Sequence, residues 1–240
     1  MKKLFFLSLT AAAAVSLSAA PITPAPYQKG DWREKSSISM TKRASKLKHV
    51  QVVFFGDSIT QGWTMHWVKV NGLKAWNKEF GKIVSKYNFG LSKDKVENVH
   101  WRITEGKQLD GYKTKVIVLM IGVNNIMGKN SNTPEEVAEG IKNLLAVMKQ
   151  KQPQAKILLL GLTPVSWDMK KYKEVNNLIC KFGDEKTVFY RDFSGEFLTK
   201  EGKTQKLKDG LHFSEEGFFA MAAKLRPELE KLLQAGPAKK

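Results

Sequence analysis

The 240-residue sequence has a single cysteine, Cys180. An intrachain disulfide is therefore impossible, whatever compartment the protein occupies. Cys180 lies in a helix-patterned apolar segment over residues 175–182. This context predicts a buried structural thiol in preference to a nucleophile.

Histidine is also scarce, with only four residues in the chain: His49, His66, His100 and His212. No two of them stand at the spacing of metal ligands on a helix. The sequence therefore predicts no metal site.

A long hydrophobic run is found only at the N-terminus. Lys2 and Lys3 precede an apolar, small-residue run that extends to Ala20. A basic start, a short apolar core and small residues at the end are typical of a secretory signal peptide. Such a run is at the short limit for a membrane span, and no cysteine follows it to carry a lipid. We therefore expect residues 1–20 to be removed on export and the mature protein to be secreted or periplasmic, without a stable membrane anchor.

Acidic residues are the minority among the charged ones: 23 Asp and Glu stand against 40 Lys and Arg, giving a net charge of +17. A positive charge of this size attracts polyanions. The basic residues are nevertheless spread along the chain, without the basic helix or aromatic stacking motif of a nucleic-acid module. The charge indicates a solvated surface, with an anionic partner as the alternative. No nucleic-acid partner is expected.

No internal repeat or low-complexity block is visible. About 215 residues remain after the signal peptide, enough for one domain with a sizeable core. Residues 21–46 are polar and contain several prolines, which predicts a lead-in segment that wraps the surface. Residues 47–236 are predicted to form the single domain.

Five apolar runs suit strands that are buried on both faces of a parallel sheet. They cover residues 50–55, 84–89, 115–121, 156–160 and 187–190. Helical patterns lie between them, at residues 97–103, after a capping box at Thr133 and Glu136, and at residues 214–233. Alternating strands and helices predict a three-layer α/β/α sandwich.

Ser58 directly follows the first predicted strand, in the turn Gly56-Asp57-Ser58. In an open α/β sheet the active cleft lies at the carboxyl ends of the strands, so this serine is a candidate nucleophile. The alternative is that the turn only caps a helix. Asp57 is interpreted as a structural hydrogen-bond acceptor.

Asp209 and His212 come just before the last predicted helix. At this spacing the carboxylate can hold one imidazole nitrogen while the other faces a nucleophile. The chain order Ser, Asp, His is one of the recurrent orders of such triads. A surface His near an Asp is the alternative for this pair alone.

Two further loops follow the second and third predicted strands and contain Gly90 and Asn124. An oxyanion hole needs donors that converge on the tetrahedral oxygen. The backbone N–H groups of Ser58 and Gly90 and the side-chain amide of Asn124 are the predicted donors. Ordinary Gly/Asn turns are the alternative.

Together these blocks resemble the SGNH (GDSL) hydrolases, whose name refers to a Ser, a Gly, an Asn and a His in separate blocks. Ser58, Gly90, Asn124 and His212 match them in order. Within the family the likeness is greatest to the catalytic subunits of platelet-activating factor acetylhydrolase IB and their secreted bacterial relatives, from about residue 50 to 233. The resemblance implies a flavodoxin-like five-stranded parallel sheet, no cofactor, and hydrolysis of small acyl esters.

Two positions depart from the family pattern. Lys93 stands where the family often has a glycine before an aspartate, and Val123 stands where a threonine is common. Neither change alters a predicted catalytic group. Both changes can alter the acyl pocket, so the resemblance predicts the substrate less well than it predicts the mechanism.

The resulting expectation is a secreted serine esterase that removes small acyl groups, above all acetyl, from carbohydrate. The alternatives are a lysophospholipase or short-chain lipid esterase and, from another class, a non-catalytic polyanion-binding protein. Three tryptophans after the nucleophile either belong to the core or line a sugar-binding cleft: Trp63, Trp67 and Trp76. His100 is interpreted as a packing or surface residue. The sequence leaves the oligomeric state open, a dimer included.

Overall fold

A computed structural model describes residues 21–65 and 72–236. Its sheet has five parallel strands in the order β2-β1-β3-β4-β5. The strands are β1 His49–Gly56, β2 Lys86–Gly90, β3 Lys113–Met120, β4 Lys156–Leu160 and β5 Val188–Arg191. The five predicted strands are confirmed, with no end shifted by more than two residues, as is the predicted α/β sandwich.

Helices cover both faces of this sheet. The α-helices are α1 Trp32–Ala44, α2 Ser58–Gln61, α3 Leu73–Glu79, α4 Val96–Ile103, α5 Val123–Ile126, α6 Pro134–Lys151, α7 Lys171–Ile179 and α8 Glu215–Gln234. Short 3₁₀ helices cover Cys180–Phe182 and Ser194–Phe197. The predicted capping box of α6 is present, because Thr133 and Glu136 each accept a hydrogen bond from the other's backbone N–H.

Both faces of the sheet are apolar. Along β1, Val53 and Phe55 face a core shared with α1, α4, α6 and α7, while Val52 and Phe54 face a core shared with α3 and α8. Side chains alternate between the faces of a strand, so a strand covered on both sides needs an unbroken apolar run. This is why the strand sequences read as continuous hydrophobic segments.

The carboxyl ends of the first three strands meet at one edge. Gly56 at the end of β1 is in register with Gly90 of β2 and with Met120 of β3. The loops that leave these strands therefore start side by side. This register brings segments about 30 residues apart in sequence to the same edge of the sheet.

The lead-in segment contributes to the core as well as to the surface. Its helix α1 buries Met40 and Ala44, and Tyr27 before it is also buried. These residues join the core on one face of the sheet. The sequence predicted a lead-in segment that wraps the surface, and the helix α1 within it was not predicted.

Cys180 is exposed, so its predicted burial is wrong. The predicted helix over residues 175–182 stops at Ile179, and the chain continues as a 3₁₀ turn that carries Cys180 outward. The predicted signal peptide lies outside the described residues, as do His66 and Trp67. Within the described ranges, no helix is long and apolar enough to cross a membrane.

Candidate active site

Ser58 is the first residue of α2, immediately after β1, and is buried. Asp57 caps this helix, since its Oδ1 accepts a hydrogen bond from the N–H of Ile59 at 2.9 Å. The interpretation of Asp57 as a structural acceptor is confirmed. The cap and the rigid strand before it hold the Ser58 hydroxyl in one place at the sheet edge.

The Ser58 hydroxyl contacts His212, which is 154 residues further along the chain. Ser58 Oγ lies 2.9 Å from His212 Nε2, and His212 Nδ1 lies 2.8 Å from Asp209 Oδ2. The three residues singled out from the sequence therefore form one continuous chain of hydrogen bonds. A carboxylate on Nδ1 favours the tautomer whose Nε2 can accept the serine proton.

A tight turn sets the geometry of this pair. Asp209 Oδ1 accepts hydrogen bonds from the backbone N–H groups of Leu211 and His212 at 3.1 and 2.8 Å. Gly210 between them has φ +80°, which favours glycine. Partial burial raises the pKa of Asp209, but the hydrogen bonds from His212 and Leu211 outweigh it and leave this pKa below its usual range. Asp209 is therefore ionised at neutral pH and can stabilise an imidazolium.

Asn124 is in α5, just after β3 and thus beside the loop that carries Ser58. Its Nδ2 donates to the backbone oxygen of Asp94 at 2.8 Å. A carboxamide has two N–H donors, so this bond leaves the second hydrogen available. Asn125 serves the structure instead: its Oδ1 accepts from Val96 and its Nδ2 donates to Glu97.

Gly90 has a packing role that the sequence reasoning did not foresee. Its N–H, predicted to be an oxyanion donor, donates to Asn88 Oδ1 at 2.8 Å. A Cβ at Gly90 would collide with the backbone of Thr60 and Gln61. The missing side chain thus lets the end of α2 pack against β2, and the N–H is already bonded within the protein.

The loop that follows Gly90 contains a backbone N–H without an acceptor, at Lys93. In the loop from Gly90 to Asp94, the other backbone N–H groups have acceptors: Asn88 Oδ1, Gly56 O, Gln61 Oε1 and Leu91 O. The N–H of Lys93 has none among the described residues. Lys93 also has φ +64°, a conformation that favours glycine. The signal in the sequence was the lysine at a position where the family often has glycine.

The remaining candidates belong to the core. Trp63 and Trp76 are buried and pack against Phe80 with centroid distances of 5.4 and 5.6 Å. The core interpretation of these two tryptophans is confirmed. His100 is buried as well, and burial lowers its pKa.

A different tryptophan, Trp167, is close to the site. It follows β4, and its indole lies against Gly210, between Asp209 and His212 in sequence. The preceding Ser166 N–H donates to Gly210 O at 3.0 Å. Trp167 is 56% exposed. Sequence reasoning missed it because nothing local links the β4 loop to the His212 turn.

Acidic, histidine and cysteine side chains form no cluster of three or more that could hold a metal ion, within residues 21–65 and 72–236.

The sequence matches the GDSL-like lipase/acylhydrolase family over residues 54–218. This chain belongs to that family. The match spans the segment from β1 to the start of α8 and includes each of the site residues above. Membership makes the protein a carboxylic ester hydrolase.

Among the relatives of this acylhydrolase is the human platelet-activating factor acetylhydrolase IB subunit alpha2. It is 31% identical over 218 residues, covering 88% of this chain and 90% of the relative. A Bacteroides fragilis NCTC 9343 protein described as an acylhydrolase shares the fold with a TM-score of 0.68 at 17% identity, covering 85% of this chain and 99% of that one. The acetyl xylan esterase AlAXEase gives 0.59 at 18%, covering 75% and 99%.

Proposed function

We propose that this acylhydrolase is a secreted esterase that removes acetyl groups from carbohydrate, with Ser58 as nucleophile. The observation that carries the proposal is the hydrogen-bond chain from Ser58 Oγ through His212 to Asp209, with distances of 2.9 and 2.8 Å. A serine is nucleophilic when a neighbouring base can take its proton, and a third group must orient that base.

In the proposed reaction, Ser58 Oγ attacks the ester carbonyl while His212 Nε2 takes its proton. His212 then gives this proton to the leaving alcohol, so that an acyl-serine and a free hydroxyl result. Water, deprotonated by His212, attacks the acyl-serine, and His212 returns this proton to Ser58 Oγ as the acid is released. Asp209 holds Nδ1–H throughout and stabilises the imidazolium.

Negative charge on the tetrahedral oxygen needs donors at the same edge of the sheet. The N–H of Ser58 and the second amide hydrogen of Asn124 are two proposed donors. For the third we replace Gly90 by Lys93, because the Gly90 N–H is bonded to Asn88 and the Lys93 N–H has no acceptor among the described residues. The Asp94 carbonyl that accepts from Asn124 belongs to the residue after Lys93, which supports this choice.

One prediction and two observations support carbohydrate as the substrate class. The export signal predicted for residues 1–20 fits an extracellular polymer. The fold neighbours include a protein named acetyl xylan esterase. An exposed indole at Trp167, against the turn of His212, offers a flat apolar surface on which a sugar ring can stack.

A lipid ester is the second candidate. It is favoured by the name of the curated relatives, platelet-activating factor acetylhydrolase, at up to 31% identity. The two candidates differ in the alcohol that leaves, a sugar hydroxyl or a glycerol-type hydroxyl. Both use the same Ser58 chemistry.

The test is acetate release from a panel of acetylated oligosaccharides, beside chromogenic esters of increasing acyl length. We expect acetate release from glycans and faster turnover of acetyl than octanoyl esters at equal concentration. Faster octanoyl turnover without release from any glycan would favour the lipid candidate. N-terminal sequencing of the exported protein checks cleavage near Ala20.

A further inference from the structure

A buried polar network lies directly behind the loop that follows β2. Asp94 in this loop and Arg102 in α4 are both fully buried, and Asp94 Oδ2 lies 2.9 Å from Arg102 Nη2. The other carboxylate oxygen, Oδ1, accepts a hydrogen bond of 2.6 Å from the hydroxyl of Tyr27. Tyr27 belongs to the lead-in segment, 67 residues before Asp94.

Arg102 ties both ends of the same loop. Its Nη1 donates to the backbone oxygen of Phe89 at 2.8 Å and to Gln108 Oε1 at 2.9 Å. Phe89 is next to the end of β2, and Asp94 is near the start of α4. The loop that contains Lys93 is therefore held at its two ends by one guanidinium.

The main chain of Asp94 reaches the proposed oxyanion hole. Its carbonyl oxygen accepts the hydrogen bond from Asn124 Nδ2 at 2.8 Å. An acceptor at this point requires the NH₂ side of the carboxamide, not its oxygen, to face the loop. It therefore determines where the second Asn124 hydrogen points.

We propose that Tyr27 is a positioning residue of the active site, which sets the Asn124 amide through the Asp94 loop. This inference rests on the proposed oxyanion role of Asn124. The hydroxyl holds the Asp94 carboxylate, the carboxylate and Arg102 hold the loop, and the loop carbonyl holds the amide. The lead-in segment thus acts on catalysis without touching the substrate.

Loss of the Tyr27 hydroxyl is costly, because the buried Asp94 carboxylate then lacks a hydrogen-bond donor. Burial raises the pKa of Asp94 to about 6, while Arg102 and the Tyr27 hydrogen bond oppose that rise. A buried acceptor that loses its donor has to find another partner or move. Movement of Asp94 carries its carbonyl away from Asn124, and small displacements of a catalytic donor are expensive in rate.

The test replaces Tyr27 by Phe, which keeps the ring and removes only the hydroxyl. The matched control is Tyr112→Phe: Tyr112 is also buried, and its hydroxyl donates to a backbone oxygen, that of Gln108, at 2.9 Å. Both variants are assayed on a chromogenic acetyl ester, alone and together with Asn124→Ala. Melting temperature, kcat and KM are measured for each.

We expect Tyr27→Phe to lower kcat about 10-fold with KM within about 2-fold, because a misplaced donor affects the transition state more than substrate binding. Tyr112→Phe should lower the melting temperature by a similar amount and leave kcat unchanged. In the Asn124→Ala background, Tyr27→Phe should change kcat by less than about 2-fold, since two residues that act through one interaction are not additive.

Three results would overturn the inference. Equal kcat values for Tyr27→Phe and the native protein, at any melting temperature, reduce Tyr27 to a structural role. Multiplicative effects of Tyr27→Phe and Asn124→Ala show that Tyr27 does not act through Asn124. If Asn124→Ala alone keeps full kcat, the oxyanion assignment itself fails, and the inference fails with it.

Discussion

The hydroxyl of Ser58 hydrogen-bonds the imidazole ring of His212. Ser58→Ala removes the proposed nucleophile and very little volume. We expect hydrolysis of a chromogenic acetyl ester to fall by about 10³-fold or more, as when a triad member is removed. The melting temperature should stay close to that of the native protein. Native-like turnover by purified, folded Ser58→Ala would rule out the serine mechanism.

Substitution of Trp167 tests recognition of the sugar alcohol separately from the chemistry on the ester. Loss of a stacking surface worth about 0.5–1.5 kcal/mol predicts a KM for an acetylated oligosaccharide raised about 2- to 10-fold in Trp167→Ala. Turnover of a small chromogenic ester should not change, because that substrate has no sugar ring.

The matched control for Trp167 is Trp32→Ala, since Trp32 on α1 is also exposed, at 47%. It should leave both substrates unaffected. The stacking hypothesis loses its support if the two tryptophan variants behave alike. It is also contradicted if Trp167→Ala slows the small ester as much as the oligosaccharide.

The loop between β2 and α4 combines a strained residue with a proposed catalytic donor. A non-glycine residue at φ +64° costs about 1–2 kcal/mol, so Lys93→Gly should stabilise the protein by about 1 kcal/mol after the greater chain entropy of glycine is subtracted. The backbone N–H stays in place. We therefore expect activity on a neutral acetyl ester within a few-fold of native.

Lys93→Ala is the comparison, because it removes the same charged side chain and keeps the strain. Denaturant unfolding and ester kinetics of the two variants distinguish the effect of the backbone strain from the effect of the lysine side chain. A large loss of kcat in both would show that the ammonium group, and not the N–H, is what the reaction needs.

Helices and strands differed in how well they could be predicted. The strands of a doubly covered sheet are continuous apolar runs, and α6 has both a capping box and an apolar stripe, so these patterns are strong. Helix α1 has no such stripe: the residues it buries are Ser37, Met40 and Ala44. Only three of its residues are buried, and one of them is polar. The helix therefore leaves no clear signal in the hydrophobic periodicity.

The pH dependence of folding has a contribution from Asp57, which is buried beneath the site. Burial raises the pKa of Asp57 to about 7, with the charge of Asp94 adding to the rise. Because the native state holds this proton more tightly than the unfolded chain, stability contributed by the group falls as pH rises from about 4 to about 7. Above about 7 the full cost of the buried charge remains.

Asp57→Asn removes the ionisation and keeps an oxygen for the Ile59 N–H. We expect the free energy of unfolding of the variant, relative to the native protein, to increase between pH 5 and pH 8. One pKa unit is about 1.4 kcal/mol, and about two pH units lie between pH 5 and the raised pKa of about 7, so about 3 kcal/mol is the upper limit over this range. The prediction concerns how this free-energy difference changes with pH. A difference that is the same at every pH reflects the changed hydrogen bonds as well. If the free energies of unfolding of the two proteins, measured in urea, run parallel across this pH range, burial does not raise the pKa of Asp57.

The sequence by itself determined the order of the strands along the chain, the three-layer architecture and the choice of the proposed reacting side chains. These depend on local features: the length of apolar runs, the turn after β1, and the three-residue spacing of Asp209 and His212. Only the tertiary structure decided which donors remain free and which surfaces meet. The N–H of Gly90 is bonded to Asn88, Tyr27 reaches Asp94 from 67 residues away, and Trp167 lies on the His212 turn. The physical reason is that a hydrogen bond or an exposed face depends on what packs against it, and no local pattern records a partner from a distant segment.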